Sequence, residues 1–396
     1  MLPTCPGGGR RLRARARETD RRQKMRRRPA EAAWDDPTAG GSETKLRAVS
    51  PFPFDAVVFD LDGTLVATER YWPDAARAAT RAFLVERGIE RRIPSTAEWM
   101  EMVGTPHQSA FGAVFSDLST PDRSALVDAC VAEEQALLER GGAALLAGVP
   151  ETLEELKQRG VRLGVASNCG SDYLATMMGS LGLDRWIEEA RCLHSRGVGG
   201  KADMIQDLLH TFGTRSAVMV GDRRSDRDSA WANGIPHVHI PRGYGGLQEA
   251  VDAEAVLDAV DQVPRTLEER ACFMHGLLDQ HGSAASIAVD GMPLAGASLF
   301  ARDLARAASD RGDRAAILEG SEGEVRVHLV ADEDCLVRRA RGERIGPGPV
   351  ERLKDESLPA YRARFAEAPA GALIVDGANP ILPSVREPAS TEIAGD

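Results

Sequence analysis

The chain has 396 residues, a net charge of −11 and an apolar fraction of 43%, which suits two or three domains with ordinary globular cores. No run of about 18 apolar residues is present, so no membrane contact is expected. The six cysteines are scattered and none belongs to a Cys-x-x-Cys pair. That argues against a disulfide framework or a zinc site and favours a reducing, cytoplasmic location.

A basic head precedes the rest of the chain. Residues 1–30 contain eleven Arg or Lys and two acids, so the remainder is correspondingly acidic. The run Arg10–Arg28 has no apolar stretch of the kind a secretory signal needs and no aromatic residue to stack on bases. We therefore expect neither secretion nor nucleic-acid binding. We predict a disordered tail over residues 1–52, with Met25 as an alternative start of translation.

The first strand signal is the apolar run at residues 56–59, which is typical of a buried parallel strand. Asp60 and Asp62 follow it, and Gly63 then turns the chain. Ligands bind at the carboxyl ends of strands in open α/β sheets. Two carboxylates so close either repel each other or share a cation, and Mg²⁺ prefers such hard oxygen ligands. The alternative is a strand followed by an ordinary Asp-Gly turn.

Helical patterns dominate the next eighty residues. They cover residues 74–86, 95–103 and 124–140, with breaks at Pro94, Pro106 and Pro121. No strand pattern lies between residues 70 and 148. We therefore interpret the segment as a helical insertion between two strands and expect it to act as a lid over the carboxylates. An ordinary run of packed helices is the alternative.

A second strand is predicted at residues 161–166, after a helix at 151–159. It ends in Ser167 and Asn168, whose hydroxyl and amide suit hydrogen bonds to a phosphoryl oxygen, although a simple turn fits equally well. Lys201 begins the helix that follows. A lysine there opposes the helix dipole, so we interpret it as a catalytic lysine that neutralises phosphate and carboxylates. The alternative is a solvated surface lysine.

A third strand at residues 217–220 ends near Asp222. If the strands are neighbours, Asp60, Asp62 and Asp222 converge and form a magnesium site. Asp226 opens the next helix, and we expect it to cap that helix and to act at most indirectly on the site.

A last strand at residues 237–240 is expected to complete the sheet. Its two histidines, His237 and His239, are interpreted as packed or surface residues rather than as metal ligands.

Together these motifs resemble the haloacid dehalogenase superfamily. The four stretches that carry the resemblance are Phe59–Leu65, Ala166–Asn168, Lys201 and Gly221–Ala230. The helical insertion resembles the C1 cap of the phosphoglycolate-phosphatase-like branch, and the resemblance spans residues 54–263. The sequence departs from the family in two places, since Ala202 replaces the frequent proline after the lysine and Ala67 replaces a frequent acid. Both departures loosen the assignment of a substrate.

The resemblance implies a mechanism. Asp60 attacks phosphorus to form an aspartyl-phosphate, and Asp62 first protonates the leaving oxygen and then activates water. Ser167, Asn168 and Lys201 hold the phosphoryl oxygens. The metal residues implied are Asp60, Asp222 and the backbone carbonyl of Asp62, and the implied cofactor is Mg²⁺.

The C-terminal third contains a second strand–loop–helix pattern. A strand at residues 286–290 precedes a loop that has the spacing G-x-x-x-x-G-K-[ST], with Ala297 in the lysine position. Further strands are predicted at 325–330 and 372–376, and the intervening arginines are Arg338, Arg339 and Arg341. The segment 284–380 resembles the uridine-kinase branch of P-loop kinases.

This second resemblance is incomplete. No acidic strand and no nucleoside-binding stretch are indicated between Arg314 and Glu324. We expect a degenerate domain that retains only a weak anion site at Gly291, Gly296 and Ser298. Its role is then structural or regulatory, and nucleotide binding there stays an open alternative.

The predicted architecture is α/β: a Rossmann-like parallel sheet with a helical cap, and a second, smaller P-loop-like domain. The predicted boundaries are 1–52 for the tail, 53–263 for the hydrolase domain with its cap at about 70–148, 264–283 for a connecting helix, 284–380 for the second domain and 381–396 for a C-terminal tail.

The predicted function is a Mg²⁺-dependent phosphatase acting on a small phosphorylated metabolite. The alternatives are a β-phosphoglucomutase-like phosphomutase, a bifunctional phosphatase and nucleoside kinase, and a binding or scaffold protein in which both sites are relics.

Overall fold

Two sheets, each built mainly from parallel strands, organise the chain. The computed structural model describes residues 52–241, 244, 251, 253–281, 283–292, 296–320, 322–331, 333, 336, 353–364, 372–376 and 384–385. Three predictions therefore lie outside the described residues: the basic tail up to residue 51 with Met25, the arginines Arg338, Arg339 and Arg341, and nearly all of the C-terminal tail.

The first sheet has six parallel strands. They are β1 (Ala56–Phe59), β2 (Arg162–Ala166), β3 (Glu189–Arg191), β4 (Ala217–Gly221), β5 (His237–His239) and β6 (Ala255–Val256). Their order in the sheet is β3-β2-β1-β4-β5-β6. The predicted α/β fold with a parallel sheet is confirmed.

Strand β1 lies at the centre of this sheet, and all four of its residues are fully buried. Phe59 pairs with Val165 of β2 on one side and with Val220 of β4 on the other. The residues that follow these three strands therefore meet at one edge of the sheet, which is what the motif spacing predicts.

Strands β3 and β6 are absent from the sequence prediction, which ends the sheet with the strand at 237–240. Each is only two or three residues long, and such short edge strands carry no periodic pattern. His237 and His239 on β5 are both buried, as expected of packed histidines.

Four helices follow β1 in the chain, before the helix that leads into β2. They are α1 (Trp72–Arg87), α2 (Thr96–Glu101), α3 (His107–Val114) and α4 (Thr120–Glu139). The sequence pattern does not predict α3, because Pro106 reads as a break, whereas that proline is the N-cap residue of the helix. Pro121 likewise lies in the first turn of α4 rather than before it, since a proline costs no hydrogen bond at that position.

Four more helices alternate with the strands of the first sheet. They are α5 (Val149–Gln158), α6 (Ser171–Ser180), α7 (Lys201–Phe212) and α8 (Arg224–Ala232). The sequence suggested Asp226 as the N-cap residue of α8, but the structure places it inside the helix. It is the third helical residue, and its carboxylate accepts a hydrogen bond from the Arg223 backbone N–H at 2.9 Å in a capping box.

The second sheet comprises β7 (Ser286–Gly291), β8 (Ala316–Glu319), β9 (Val325–Val330), β10 (Leu373–Asp376) and β11 (Ser384–Val385). Its order is β11-β10-β9-β7-β8, with only β11 antiparallel. Strand β8 corrects the expectation that no acidic strand lies between Arg314 and Glu324. It is a mostly exposed edge strand of four residues, so its apolar signal is weak, and it ends in Glu319.

Helix α9 (Val263–His281) contributes to the cores of both sheets. Val263 and Leu267 pack in the core of the first sheet, whereas Met274 and Leu277 pack in that of the second. The sequence predicts a connecting helix that begins after Pro264, but this proline lies within the helix and is buried.

A fully buried ion pair joins α9 to α10 (Ala297–Arg311). The guanidinium of Arg270 donates to the carboxylate of Asp303 at 2.7 and 3.0 Å, and both side chains are 1% exposed. Ser216, just before β4, donates to the same carboxylate at 3.3 Å, and Arg306 pairs with Asp55, just before β1. These contacts lie at the amino-terminal edge of the first sheet, opposite the edge where the motif residues meet.

None of the helices in the described parts of the chain is both long enough and apolar enough to span a bilayer.

Candidate active site

Lys201 lies between two buried carboxylates at the carboxyl edge of the first sheet. Its Nζ is 2.8 Å from Oδ1 of Asp60 and 2.5 Å from Oδ1 of Asp226. The three side chains are at most 2% exposed. Lys201 is the first residue of α7, and this placement is explained by its contacts rather than by helix propensity.

Asp222, at the end of β4, stands beside this group without a hydrogen-bond partner among the described residues. Both of its carboxylate oxygens and Oδ2 of Asp60 are buried and accept no hydrogen bond. Carboxylate oxygens of Asp60, Asp222 and Asp226 lie within 4.8 Å of one another. Because unpaired buried anions are costly, the open oxygens of Asp60 and Asp222 fit a hard divalent cation.

Asp226 differs from the other two acids because both of its oxygens are engaged. Oδ1 accepts from Lys201 and Oδ2 accepts from the Arg223 backbone N–H at 2.9 Å. Asp226 therefore fixes the position of Lys201 and of the first turn of α8, which agrees with the indirect role expected from the sequence.

Gly63 allows the turn after the two motif carboxylates. Its φ of +81° lies in the left-handed region, and a Cβ added there would lie 2.5 Å from Oδ2 of Asp222. Any other residue would therefore be strained and would also push into the acidic cluster. The Asp-Gly turn considered from sequence is present, and it serves to bring the carboxylates together.

Burial governs the ionisation of this cluster. Burial, followed by the negative charge of Asp226, raises the pKa of Asp60 to about 7. Burial and the neighbouring carboxylates raise the pKa of Asp222 well above its usual range. The pKa of Lys201 is raised despite burial, because Asp226 and Asp60 favour its charged form. The lysine therefore carries a charge throughout the neutral range.

Asp62 belongs to a separate hydrogen-bond network. Its Oδ1 accepts from the Thr68 hydroxyl at 2.8 Å and from the Tyr173 hydroxyl at 2.5 Å, and Tyr71 is hydrogen-bonded to Tyr173 in turn. No hydrogen bond from a described residue reaches Oδ2. Burial raises the pKa of Asp62, opposed by these two hydroxyl donors. The carboxyl group is thus fixed in orientation and more easily protonated than a solvated aspartate.

Ser167 and Asn168 lie at the end of β2, next to Asp60. Ser167 is buried, and its backbone N–H donates to the Arg191 carbonyl at 3.0 Å. The Asn168 amide donates to the Gly104 carbonyl at 3.0 Å, in the loop between α2 and α3. Asn168 therefore links the sheet edge to the helical segment, and the binding of a phosphoryl oxygen by either residue stays a prediction.

A cavity of about 570 Å³ opens beside this edge, with Asp62, Thr68 and Asn168 at its base and residues of α1, α3 and α4 around it. The sequence patterns do not indicate Thr68, Tyr173 or Glu134 as site residues. Each is a single polar side chain without a motif, and only the packing of the helices against the sheet brings them to the cavity. The one available signal is the placement of Thr68 directly after the first motif.

The loop of the second sheet differs from an active P-loop at the lysine position. Gly291 is required at the start of this loop, because a Cβ would lie 2.5 Å from the Leu329 carbonyl oxygen of β9. Ala297 is the first residue of α10 and supplies no cation. The Ser298 hydroxyl donates to the Glu319 carboxylate at 3.2 Å, and a serine beside an acid is also found at the metal-binding position of active P-loops.

Comparison with known proteins places the first sheet in a family. Residues 57–240 match the family model of haloacid dehalogenase-like hydrolases. The chain is 30% identical over 210 residues to a phosphoglycolate phosphatase of Rhodospirillum rubrum, and the match covers 48% of this chain and 80% of that protein. The chain belongs to the haloacid dehalogenase-like hydrolases. The predicted superfamily and the prediction of an enzyme are confirmed.

Other similarities are shorter or more distant. The chain is 30% identical over 195 residues to the tyrosine-protein kinase PtkA of Mycobacterium tuberculosis, covering 48% of this chain but only 62% of that relative. A haloacid dehalogenase-like hydrolase structure from Streptococcus pneumoniae matches 53% of this chain and 97% of its own, with a TM-score of 0.46 and 22% identity. The structure of CbbY from Rhodobacter sphaeroides in complex with phosphate gives a TM-score of 0.46 and 19% identity over 53% of this chain and 96% of its own.

Added Mg²⁺ is expected to raise the melting temperature, and to raise it more at about pH 8 than at about pH 5. Without a cation, folding raises the pKa of Asp60 from 3.8 to about 7. The contribution of this group to stability is therefore lost as pH rises through that window. A bound cation replaces the proton and restores the stability. Thermal unfolding followed by circular dichroism, with and without Mg²⁺, measures the effect.

The matched variants are Asp222→Asn, which should lose most of the Mg²⁺-induced shift, and Asp228→Asn, which should keep it. Asp228 lies on α8 and is exposed. An unchanged shift in Asp222→Asn would show that the cation binds elsewhere.

Proposed function

We propose that this protein is a phosphatase that hydrolyses a small phosphate monoester through an aspartyl-phosphate on Asp60. The observation that carries the proposal is the buried group of Asp60, Lys201 and Asp222, in which Oδ2 of Asp60 has no hydrogen-bond partner among the described residues. Asp62 follows two residues later and lies in the wall of the cavity. Family membership and the phosphatase names among the relatives support the same function.

In the first step an oxygen of Asp60 forms a bond to phosphorus while the bond to the leaving oxygen breaks. Asp62 gives its proton to that oxygen, which departs as an alcohol. In the second step water attacks phosphorus, Asp62 takes a proton from the water, and the carboxylate of Asp60 is released with inorganic phosphate. Lys201 holds Oδ1 of Asp60 and neutralises charge on the phosphoryl group.

Asp60, Asp222 and the backbone carbonyl of Asp62 are the groups that would hold Mg²⁺. When bound, the ion offsets negative charge on the phosphoryl oxygens. Ser167 and Asn168 are proposed to donate hydrogen bonds to the same oxygens.

Helices α1–α4 are proposed to form the cap of this hydrolase. Together with the loop between α2 and α3 they supply more than half of the residues that line the cavity, and the hydrogen bond from Asn168 to Gly104 joins this segment to the sheet edge. A cap that excludes water strengthens the electrostatic interactions in the site and keeps bulk water from competing with Asp60 for the phosphoryl group. The domain division at residues 53–263 and 284–380 is part of the same proposal.

Asp60→Asn is expected to lower phosphate release by about 10³-fold or more, because the amide keeps the shape of the side chain but is not a nucleophile. Release of phosphate from p-nitrophenyl phosphate, with Mg²⁺ and with excess chelator, measures it. Asp74→Asn, an exposed acid of α1, is the control and should retain activity. Full activity of Asp60→Asn, or of the wild type in chelator, would exclude the mechanism. A requirement for a bisphosphate activator would instead support the phosphomutase alternative.

Asp62→Asn is expected to slow esters with poor leaving groups by ~10²–10⁴ and to affect p-nitrophenyl phosphate much less in the first step. Tyr173→Phe removes the hydroxyl that orients Asp62 and should show the same leaving-group dependence with a smaller loss. Plots of rate against the pKa of the leaving alcohol measure both. Parallel plots for the wild type and both variants would rule out Asp62 as the general acid.

For the second sheet we propose a P-loop-like scaffold that does not transfer phosphoryl groups. The alanine at position 297, where an active P-loop has its lysine, supports this. In the full chain carrying Asp60→Asn, which prevents hydrolysis of any product, no nucleoside should be phosphorylated by ATP. Phosphorylation that is lost in Ser298→Ala would make the protein bifunctional.

A further inference from the structure

The cavity beside Asp62 is lined by acids but not by fixed cations. Four carboxyl groups line it, those of Asp62, Asp128, Glu134 and Asp172, and none of the described lining residues is Lys or Arg. The buried Lys201 is already engaged by Asp60 and Asp226. An anionic group on the leaving alcohol would therefore find no Lys or Arg counterion among the described lining residues, and it would accept no hydrogen bond from an ionised carboxylate.

The two histidines of the cavity wall do not change this balance. Burial lowers the pKa of His107, and its ring stacks on Trp72 with centroids 6.0 Å apart. The Nδ1 of His194 accepts a hydrogen bond from the Ser171 backbone N–H at 3.3 Å, so this nitrogen carries no proton. Neither imidazole is a permanent cation of the kind that a Lys or Arg side chain provides.

Glu134 on α4 is the buried group that the proposed mechanism leaves without a role. It lines the cavity, is 6% exposed, and makes no hydrogen bond or ion pair with a described residue. Burial, and then the charge of Asp62, raise its pKa well above the usual range. A buried carboxyl that faces a cavity without a partner is satisfied when a ligand donates an N–H or O–H to it.

Part of the remaining wall is apolar. Trp72, Met102 and Val127 line it, and Val131, one turn after Val127 on α4, is a large apolar side chain with 39% exposure. With a volume of about 570 Å³, the cavity has room for a leaving group larger than a two-carbon acid.

We infer that the preferred substrates are phosphate monoesters whose alcohol carries a hydroxyl or ammonium donor for Glu134 and no anionic group, which disfavours phosphoglycolate. This inference rests on the proposed phosphatase function. Glu134 is its specificity residue, and the apolar wall receives the carbon skeleton. An ammonium group would ionise Glu134 and form an ion pair, whereas a hydroxyl group would bind it as a neutral donor.

A set of four esters of similar size tests the inference. They are 2-aminoethyl phosphate, 2-hydroxyethyl phosphate, ethyl phosphate and 2-phosphoglycolate, with p-nitrophenyl phosphate as a general reporter. We expect kcat/KM for at least one of the two donor esters to exceed that for 2-phosphoglycolate tenfold or more. A smaller ratio, or a preference for 2-phosphoglycolate, overturns the inference alone. Hydrolysis of no ester, the reporter included, overturns the proposed function and the inference with it.

Variants on α4 test the specificity residue itself. In Glu134→Gln, which keeps shape but cannot ionise, the ratio of kcat/KM for 2-aminoethyl phosphate to that for ethyl phosphate should fall at least fivefold. Asp128→Lys, an exposed change at the cavity, should raise kcat/KM for 2-phosphoglycolate relative to ethyl phosphate. Glu139→Lys, exposed on the same helix but outside the cavity, is the control and should leave both ratios as they are. Unchanged ratios in the first two variants would contradict the assignment.

Discussion

The site depends on one lysine, Lys201, which neutralises part of the charge of three closely spaced buried aspartates. Asp60, Asp222 and Asp226 lie within 4.8 Å of one another, and Lys201 is in direct contact with two of them. Removing one partner of such a buried pair typically costs ~3–5 kcal/mol, because the other charge is left uncompensated. The lysine satisfies only part of the charge, because Oδ2 of Asp60 and both carboxylate oxygens of Asp222 accept no hydrogen bond from a described residue.

The positions of the polar residues at this edge of the sheet could be predicted from the sequence, because local sequence patterns mark where each strand ends. A short apolar run followed by polar residues predicts a strand and its carboxyl end, and the register of β1 with β2 and β4 brings Asp60, Ser167 and Asp222 together. Lys201 could be singled out because its position contradicts helix propensity.

The cavity could not be predicted in the same way. Tyr173, Glu134 and Trp72 lie on three different helices, and none of their positions departs from an ordinary helical pattern. Their meeting depends on the angles between helices, which side-chain packing sets and no sequence spacing encodes. Strand β8 was missed for a different reason, because its four residues are mostly exposed and carry little apolar signal. Helix α3 was missed because its proline is equally compatible with the end and with the start of a helix.

Helix α9 contributes residues to the separate cores of the two sheets, and the fully buried pair of Arg270 and Asp303 joins this helix to α10. A cut in α9 between Arg270 and Met274 would expose apolar side chains on both products and leave a buried charge without its partner. A chain shortened at that point would need new polar surface along the amino-terminal edge of the first sheet, where Ser216 and Asp55 contact α10. The acidic cluster lies at the opposite edge and takes part in none of these contacts.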